Sequence, residues 1–318
     1  MQKLKEAKVI ARKIKQFKSE GKSCALITII KKKGSAYRSE GAKFLVAEDK
    51  TQVCGISGGC LEKGLIHKAL EVIKTGKHII EHADLKDPAT WGMWLGCPGE
   101  VDILIEPVKF DNVVNKWIEC VENEKKFVLV KDIYTLKTAL YTDNEHFGDD
   151  IGNTEIIKTK LKNPKENSEL IGTIFYDTIL IYPPIVIFGK GEEVLFFKQI
   201  GEILGFKILN PDPTENFLIP ENSFVVIANH HIKLDRISLK KALNSKASYI
   251  GMISSLKRFE KVCDGLSVDE RVYVPAGLDI KGESPDEVVL SILSEIVSIF
   301  NGGTNENLSK IKKLANKI

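Results

Sequence analysis

The stretch KGSAYRSEGAKFLVAEDKTQVCGISGGCLEKGLIHKAL, residues 33–70, decides how the first half of this chain folds. It holds two glycine-bearing loops, each next to a strand-like run, and the second loop, GISGGCLE, leads into a helix-like segment. Residues 52–56 are β-prone, residues 57–59 interrupt the strand, and apolar side chains then recur at helical spacing over residues 61–70. The pattern therefore predicts a strand, a glycine turn and a helix, with Cys60 in the first helical turn.

This turn has the features of an anion-binding site. Exposed N–H groups and the positive end of a helix dipole favour an anion, and glycines let the backbone approach it closely. Gly55, Gly58 and Gly59 are therefore candidate binding residues. The same field lowers the pKa of a thiol, so Cys60 is predicted to be more thiolate-like than a buried cysteine, and a phosphate beside a soft ligand would suit the place. A second interpretation stays open, in which the small residues only permit packing and Cys60 belongs to the core.

The composition is that of an ordinary globular protein. The chain has 318 residues, 43% hydrophobic and 28% charged, which predicts about two domains. A net charge of only +3 gives no reason to expect a nucleic acid partner. Because no apolar run approaches the roughly 20 residues that span a bilayer, and no signal peptide pattern is present, we expect a cytoplasmic protein without membrane contact. The widely spaced cysteines are expected to be free thiols.

The strand before the first glycine loop predicts the centre of a sheet. SCALITII, residues 23–30, is a continuous apolar run that is typical of a strand buried on both faces. It leads into the loop that carries Arg38, a position suited to a bidentate contact with a phosphate or a carboxylate. An exposed arginine without such a role is the alternative.

A second candidate thiol follows farther along the chain. Cys97 lies in a Gly-Cys-Pro-Gly turn immediately before VDILIEPV, residues 101–108, a strand expected in the same sheet as SCALITII. The ends of two strands of one sheet could bring Cys97 and Cys60 to the same edge. Two thiols and a glycine turn would then face one ligand, and both thiols are candidate metal ligands.

After the proline pair at 183–184, strands and helices alternate, which predicts a parallel sheet with helices on both faces. Gly189 and Gly191 supply the turn of a dinucleotide-binding fingerprint, but its third glycine is missing. Glu192 and Glu193 place negative charge where a pyrophosphate would lie. These features give NAD(P) binding weak support.

Two further polar residues are candidates in this second half. His230 follows a predicted strand at the carboxyl edge of the sheet, where open α/β sheets bind ligands. Neighbouring side chains point to opposite sides of a strand, so only one of His230 and His231 is expected to face a crevice, and we choose His230 over its neighbour. A surface or hydrogen-bonded structural histidine is the alternative. Residues 284–287 predict a helix start with a capping box, whereas Asp279 just before them has no such structural explanation.

Together these patterns predict an α/β protein with two domains. Residues 1–182 are expected to form an N-terminal α/β domain with a mixed sheet, and residues 183–302 a Rossmann-like domain with a parallel sheet. Residues 303–318 remain as a tail. Residues 111–182 predict one helix and several strands that complete the first domain and offer no chemistry.

The motifs quoted above resemble those of the XdhC/CoxI family, the accessory proteins of molybdenum hydroxylases such as xanthine dehydrogenase. The resemblance rests on GSAYRSEGAKFLV, GISGGCLE, the Gly-Cys-Pro-Gly turn with VDILIEPV, PPIVIFGKG, YIGMI and GLDIKGESPDEVVLSILSEIV. It implies a chaperone that binds the molybdenum cofactor transiently, protects it and inserts it into an apo molybdenum hydroxylase, with no turnover of its own. It also implies a cysteine desulfurase as a partner, and a homodimer is expected.

The cofactor-binding residues expected from the motifs and this resemblance are Arg38, Gly55, Gly58, Gly59, Cys60, Cys97, Gly189, Gly191, His230 and Asp279, with Cys60 and Cys97 as metal ligands.

The chain also departs from the family pattern. Tyr37 stands where the usual GSxPR loop has proline. In the second half, Glu193 replaces the family's histidine after GxG, and Ile232 replaces one histidine of its Thr-His-Asp-His run. These replacements argue against a family-wide ligand role of that domain here. The rival hypothesis is an NAD(P)-linked oxidoreductase with His230 as acid/base and Asp279 as its orienting partner.

Overall fold

The computed structural model describes residues 2–34, 36–59, 61–84, 99–162, 167–179 and 181–307. The chain divides into two units, Met1–Ile181 with two described sheets and Tyr182–Ile318 with one, and each unit has its own apolar core. Among the described helices, none combines the length and the apolar character needed to cross a membrane.

The first sheet of unit 1 is built on its longest strand. The elements of this part are α1 (Gln2–Ser19), β1 (Cys24–Gly34), β2 (Lys43–Ala47), β3 (Gln52–Cys54), α2 (Glu62–Thr75), β4 (Ile79–Asp84) and β5 (Gly99–Pro107). The strand order is β3-β2-β1-β5-β4, and every described pair is antiparallel. The central strand β1 therefore has β2 on one side and β5 on the other, which confirms VDILIEPV as a strand in the sheet of SCALITII.

Both faces of β1 are covered, as its continuous apolar sequence predicts. Ala25, Ile27 and Ile29 pack in one apolar cluster with α2. Cys24 and Leu26 belong to a second cluster, with α1. The alternation follows from the two-residue period of a strand, which sends successive side chains to opposite faces. Removal of this apolar surface from water is the main stabilising term of unit 1.

The rest of unit 1 forms a second antiparallel sheet. Its elements are α3 (Asn112–Glu122), β6 (Val128–Asp132), β7 (Thr138–Tyr141), β8 (His146–Gly148), α4 (Thr154–Lys162), β9 (Glu169–Ile171) and β10 (Ile174–Thr178), with strand order β8-β7-β6-β10-β9. The described strands of unit 1 thus form two antiparallel sheets where a mixed sheet was expected. The sequence does not predict β8, α4 and β9, because such short polar segments carry little periodic signal.

Unit 2 has the predicted Rossmann-like architecture. Its elements are β11 (Ile185–Gly189), α5 (Glu192–Leu204), β12 (Ile208–Leu209), β13 (Phe224–Ala228), α6 (Ile232–Leu243), β14 (Tyr249–Met252), α7 (Leu256–Cys263), β15 (Val272–Tyr273) and α8 (Pro285–Asn301). The strand order is β12-β11-β13-β14-β15, with every described pair parallel. On one face α6 and α7 pack against the sheet, whereas Tyr249 reaches α8 and donates a hydrogen bond to Glu295 over 2.6 Å. The capping box predicted for the start of α8 is confirmed.

A matched pair of substitutions tests the core of unit 1. Val72 on α2 is 0% exposed and Val9 on α1 is 42% exposed. Both changes to alanine gain similar helix propensity, so their difference reports burial. We expect Val72→Ala to lower the free energy of unfolding by about 1.5 to 3 kcal/mol and Val9→Ala to change it by less than about 0.5 kcal/mol. Urea unfolding of the full chain measures both, and equal effects would contradict the assignment of the core.

Candidate functional site

The glycine turn between β3 and α2 is held by one carboxylate. Glu62, the first residue of α2, accepts hydrogen bonds from the backbone N–H groups of Ile56 at 2.9 Å, Ser57 at 2.8 Å and Gly59 at 3.0 Å. The Ser57 hydroxyl donates a further hydrogen bond to the same carboxylate. Glu62 is buried, and it therefore lies where the sequence places an external anion.

The hydrogen bonds also decide the protonation state of Glu62. Burial by itself raises the pKa of this carboxyl, but the hydrogen bonds from Ser57 and Ile56 outweigh burial and lower the pKa below that of an ordinary glutamate. The carboxylate is therefore ionised at neutral pH. A negative side chain in the first turn of a helix is also favoured by the helix dipole.

This arrangement corrects the expectation of an open anion site at the glycine turn. Three of the backbone donors that would hold a phosphate already donate to Glu62. Gly55 leaves room for this contact, because a Cβ there would lie 3.0 Å from a Glu62 oxygen. Sequence reasoning missed Glu62, although an acidic residue at the start of a helix that follows a glycine turn is a readable signal.

Gly58 and Gly59 are needed for their backbone conformation. Both have positive φ, +74° and +110°, in the region that side-chain-bearing residues rarely adopt. The ring of Tyr37 lies 3.5 Å from the position that a Cβ on Gly58 would take. Tyr37 is 69% exposed, so its aromatic ring forms part of the surface beside the turn. The sequence marks Tyr37 only as a departure from the family pattern.

Arg38 joins the two glycine loops, but its guanidinium already has an acidic partner. Its Nη1 and Nη2 donate to the two oxygens of Glu6 on α1, at 2.8 and 2.7 Å, and Nη1 also donates to the Gly55 carbonyl at 3.1 Å. The Arg38 and Glu6 side chains are only 10% and 15% exposed. The predicted bidentate contact to a carboxylate is therefore present within the chain, and Arg38 is not an open phosphate ligand.

A cysteine that the sequence did not select lies beside this pair. Cys54 ends β3 with a positive φ of 66°, and its Sγ is 3.9 Å from the Glu6 carbonyl oxygen. Although the residue is exposed, desolvation of its thiol and the neighbouring Glu6 carboxylate raise the pKa of Cys54 to about 11. This thiol is therefore protonated at neutral pH and is a poor nucleophile and metal ligand until it loses its proton.

The predicted thiol pair, Cys60 and Cys97, lies outside the described residues. The strand register locates Gly99, a described residue that follows Cys97 by two positions in the sequence. Gly99, the first residue of β5, pairs with Gly34, where β1 ends and the Arg38 loop begins. Within the described residues, no group of three or more potential metal ligands is present. The shared site of Cys60 and Cys97 stays a prediction.

In unit 2 a glutamate side chain of the chain itself lies over the glycine turn. The Glu193 carboxylate lies over Gly191, and a Cβ on this glycine would be 2.1 Å from Glu193 Oε2. Gly189 allows two strands to approach, because a Cβ there would be 2.7 Å from the Ala228 carbonyl oxygen. Asn210 ties the turn by donating to the carbonyl of Gly189 at 3.1 Å. Both glycines thus serve the turn itself.

The predicted partnership of His230 and Asp279 is not among the described contacts. His230 Nε2 lies 3.1 Å from Glu193 Oε1, and its side chain is half exposed. Asp279 is 74% exposed and pairs with Lys281 at 3.1 Å. The carboxylate that orients His230 is therefore Glu193, which the sequence presented as an obstacle to phosphate binding.

Comparison with known proteins identifies the family of this chain, which the geometry of the turns does not. Residues 18–84 match the model described as the XdhC and CoxI family, and residues 185–296 match the XdhC Rossmann domain. The chain belongs to the XdhC/CoxI family. The first match covers the Arg38 loop and the GISGGCLE turn, and the second covers the parallel sheet of unit 2.

Several relatives extend this family assignment along nearly the whole chain. A protein described as a probable subunit of xanthine dehydrogenase, from Bacillus subtilis (strain 168), is 26% identical over 302 residues, 86% of this chain and 92% of that protein. The molybdenum cofactor insertion chaperone PaoD of Escherichia coli (strain K12) is 22% identical over 296 residues, 88% of this chain and 84% of that protein. A crystal structure of a xanthine dehydrogenase from Bacillus halodurans superposes with a TM-score of 0.76 at 25% identity, covering 92% of this chain and 96% of the other.

The role of Glu62 in this XdhC/CoxI turn is testable through its pH dependence. The folded-state pKa lies below the unfolded-state value of about 4.3, so the contribution of the carboxylate is complete above that pH and is lost as pH falls through the folded-state pKa. We expect Glu62→Gln to lower the free energy of unfolding at pH 7 by about 1 to 3 kcal/mol. The difference from wild type should shrink below about pH 4.

Glu71→Gln is the matched control, because Glu71 is an exposed glutamate on the same helix. Denaturant unfolding at a series of pH values measures all three proteins. A Glu62→Gln variant as stable as the control at pH 7 would contradict the role given to this carboxylate.

Proposed function

We propose that this XdhC/CoxI protein binds the molybdenum cofactor as cargo and delivers it to an apo molybdenum hydroxylase. The observation that carries the proposal is the alignment with a molybdenum cofactor insertion chaperone over 88% of this chain and 84% of that protein. An alignment of this extent includes both units rather than the widespread Rossmann-like fold alone. A cysteine desulfurase and a second copy of the chain are proposed as further partners.

The proposed cargo site is the surface around the two loops of unit 1. Tyr37 offers an exposed aromatic face beside the glycine turn, and a planar heterocycle can stack on such a ring. Cys60 directly follows this turn in sequence, and Cys97 shortly precedes β5. We propose these two thiols as the ligands of the metal–sulfur centre, because thiolates suit a soft metal.

The Arg38–Glu6 pair suggests how the site could bind a phosphate group and release it again. The guanidinium is already bidentate to Glu6, so a cargo phosphate would take the place of the Glu6 carboxylate. The exchange keeps Arg38 paired in both states, but the displaced Glu6 carboxylate, which is only 15% exposed, loses its partner, and this cost weakens phosphate binding. Because the phosphate must displace the Glu6 carboxylate from Arg38, it binds less tightly than it would to an unpaired arginine. Weaker binding suits a protein that delivers its cargo to another protein.

Unit 2 is proposed to contribute an interface rather than a nucleotide site. The Glu193 carboxylate covers Gly191, where a pyrophosphate would approach the backbone, and adds a like charge there. Two candidates of this unit, His230 and Asp279, have side chains that a partner or cargo can reach, since they are 50% and 74% exposed. Gly189 and Gly191 would shape the loop, and Asp279 would contribute an exposed charge.

The rival activity, an NAD(P)-linked oxidoreductase, has one structural feature in its favour. A parallel sheet with a GxG turn after β11 is the place where many α/β proteins bind a dinucleotide. A rise of the unfolding temperature with millimolar NAD⁺ or NADP⁺, in a protein that retains no pterin, would favour this activity over the chaperone.

The two thiols can be tested by cofactor retention. We expect the protein, co-expressed in a host that makes the molybdenum cofactor, to be purified with bound pterin, detected by fluorescence after oxidation. Cys60→Ser and Cys97→Ser should each lower the pterin content at least fivefold, because serine is a poor ligand for a soft metal. Cys263→Ser in unit 2 is the control and should retain wild-type pterin. Wild-type retention by both test variants would contradict the metal-ligand assignment.

The exchange at Arg38 makes a prediction of opposite sign. We expect Glu6→Gln to raise pterin retention, because the neutral amide competes less well than a carboxylate for the guanidinium. Arg38→Ala should lower it. Glu122→Gln is the control and should have no effect on pterin retention. It neutralises an exposed glutamate whose partner, Lys15, lies on α1 together with Glu6. Unchanged or lower retention in Glu6→Gln would leave Arg38 with a structural role alone.

A further inference from the structure

Unit 1 contains a cavity that the proposed cargo site does not use. Its volume is about 410 Å³, and it lies between α1, β1, α3 and the second sheet. Cavities of roughly 300 to 1,000 Å³ are the usual size for small-molecule sites. The residues that form its apolar wall include Ile14, Leu26, Val113, Val114, Leu129 and Leu136.

One end of this cavity is lined by Lys43, Glu106 and Lys131, and the neighbouring Asp177 completes two ion pairs whose charges balance. Lys43 pairs with Asp177, and their side chains are 7% and 3% exposed. Lys131 contacts both carboxylate oxygens of Glu106. A smaller cavity adjoins the first and has all four of these residues in its wall. Because each charge already has an opposite partner, this end does not require an ionic ligand.

The other acidic side chains of the cavity are also satisfied. Asp111 accepts a hydrogen bond from the N–H of Val114 at 2.9 Å and so caps α3. Asp149 accepts one from the N–H of Thr138 at 2.8 Å. Neither carboxylate therefore has to find a cation in a ligand.

Two donors of the cavity wall have no partner among the described residues. The indole N–H of Trp117 is buried and makes no hydrogen bond, an arrangement that costs about 1 to 3 kcal/mol. Lys109 is exposed and has neither an ion pair nor a hydrogen bond within the described part of the chain. The indole nitrogen is inaccessible, whereas Lys109 is the cation of the wall that a ligand's negative charge can pair with without displacing a partner within the described residues.

We infer that this cavity binds a small apolar carboxylic acid in its ionised form. The apolar body would pack against the wall between α1 and the second sheet, and the carboxylate would lie toward Lys109. A neutral apolar molecule would pack against the apolar wall but would not pair with Lys109. A small polar anion would pair with Lys109 but would not pack against the wall. The inference does not depend on the proposed chaperone function, since it concerns other residues and another ligand.

The test compares an acid with its neutral isostere on the full-length protein. Isothermal titration calorimetry with naphthoate and naphthamide should show binding of both, with naphthoate at least fivefold tighter. Lys109→Gln should reduce this preference to less than twofold. Lys126→Gln removes an exposed lysine that does not line the cavity and should leave the preference unchanged.

Two variants that fill the cavity test whether the ligand binds inside it. Val114→Phe and Leu129→Phe should each weaken both ligands at least tenfold, while the unfolding temperature shows that the variant is folded and pterin retention stays at the wild-type level. No binding of either ligand at millimolar concentration would overturn the inference, and so would equal affinities for the two ligands. Binding that survives both folded filling variants would place the ligand elsewhere.

Discussion

The carboxylate of Glu62 is the interaction on which the shape of the first glycine turn depends. It collects N–H groups of residues 56, 57 and 59, which would otherwise be unpaired at the junction of β3 and α2. Unpaired buried donors cost free energy, and an ionised acceptor at a helix N-terminus offsets that cost while gaining from the helix dipole. The turn can therefore keep two glycines in left-handed conformations without an external anion.

A carboxylate of the chain lies at the glycine turn of each unit, and this bears on anion binding there. Glu62 occupies the turn in unit 1, Glu193 covers Gly191 in unit 2, and Glu6 holds Arg38. A resident cofactor would be expected to find open donors, because filled donors weaken anion binding by competition. These internal carboxylates therefore disfavour tight binding of an external anion at Arg38 and at the two turns.

The first sheet connects these local features. Since β1 is buried on both faces, α2 packs on one side and α1 on the other, and α1 brings Glu6 to the Arg38 loop. The pairing of Gly34 with Gly99 ties the start of β5 to the same end of the sheet. On the α1 side, the junction with the second sheet leaves the cavity beside Trp117. One strand thereby determines the position of both the loop surface and the cavity.

The sequence by itself determined the elements with strong periodic or turn signals: the buried strand β1, the strand–turn–helix around Gly58, the parallel sheet of unit 2 and the capping box of α8. It also identified the family, through motifs that lie within single stretches. Only the tertiary structure decided which charges pair, because Glu6 lies 32 positions from Arg38 and Glu193 lies 37 from His230. Local patterns carry no information on such partners. For that reason the sequence predicts the glycine turns as groups of backbone donors, but it does not predict that Glu62 accepts from the first turn or that Glu193 covers the second.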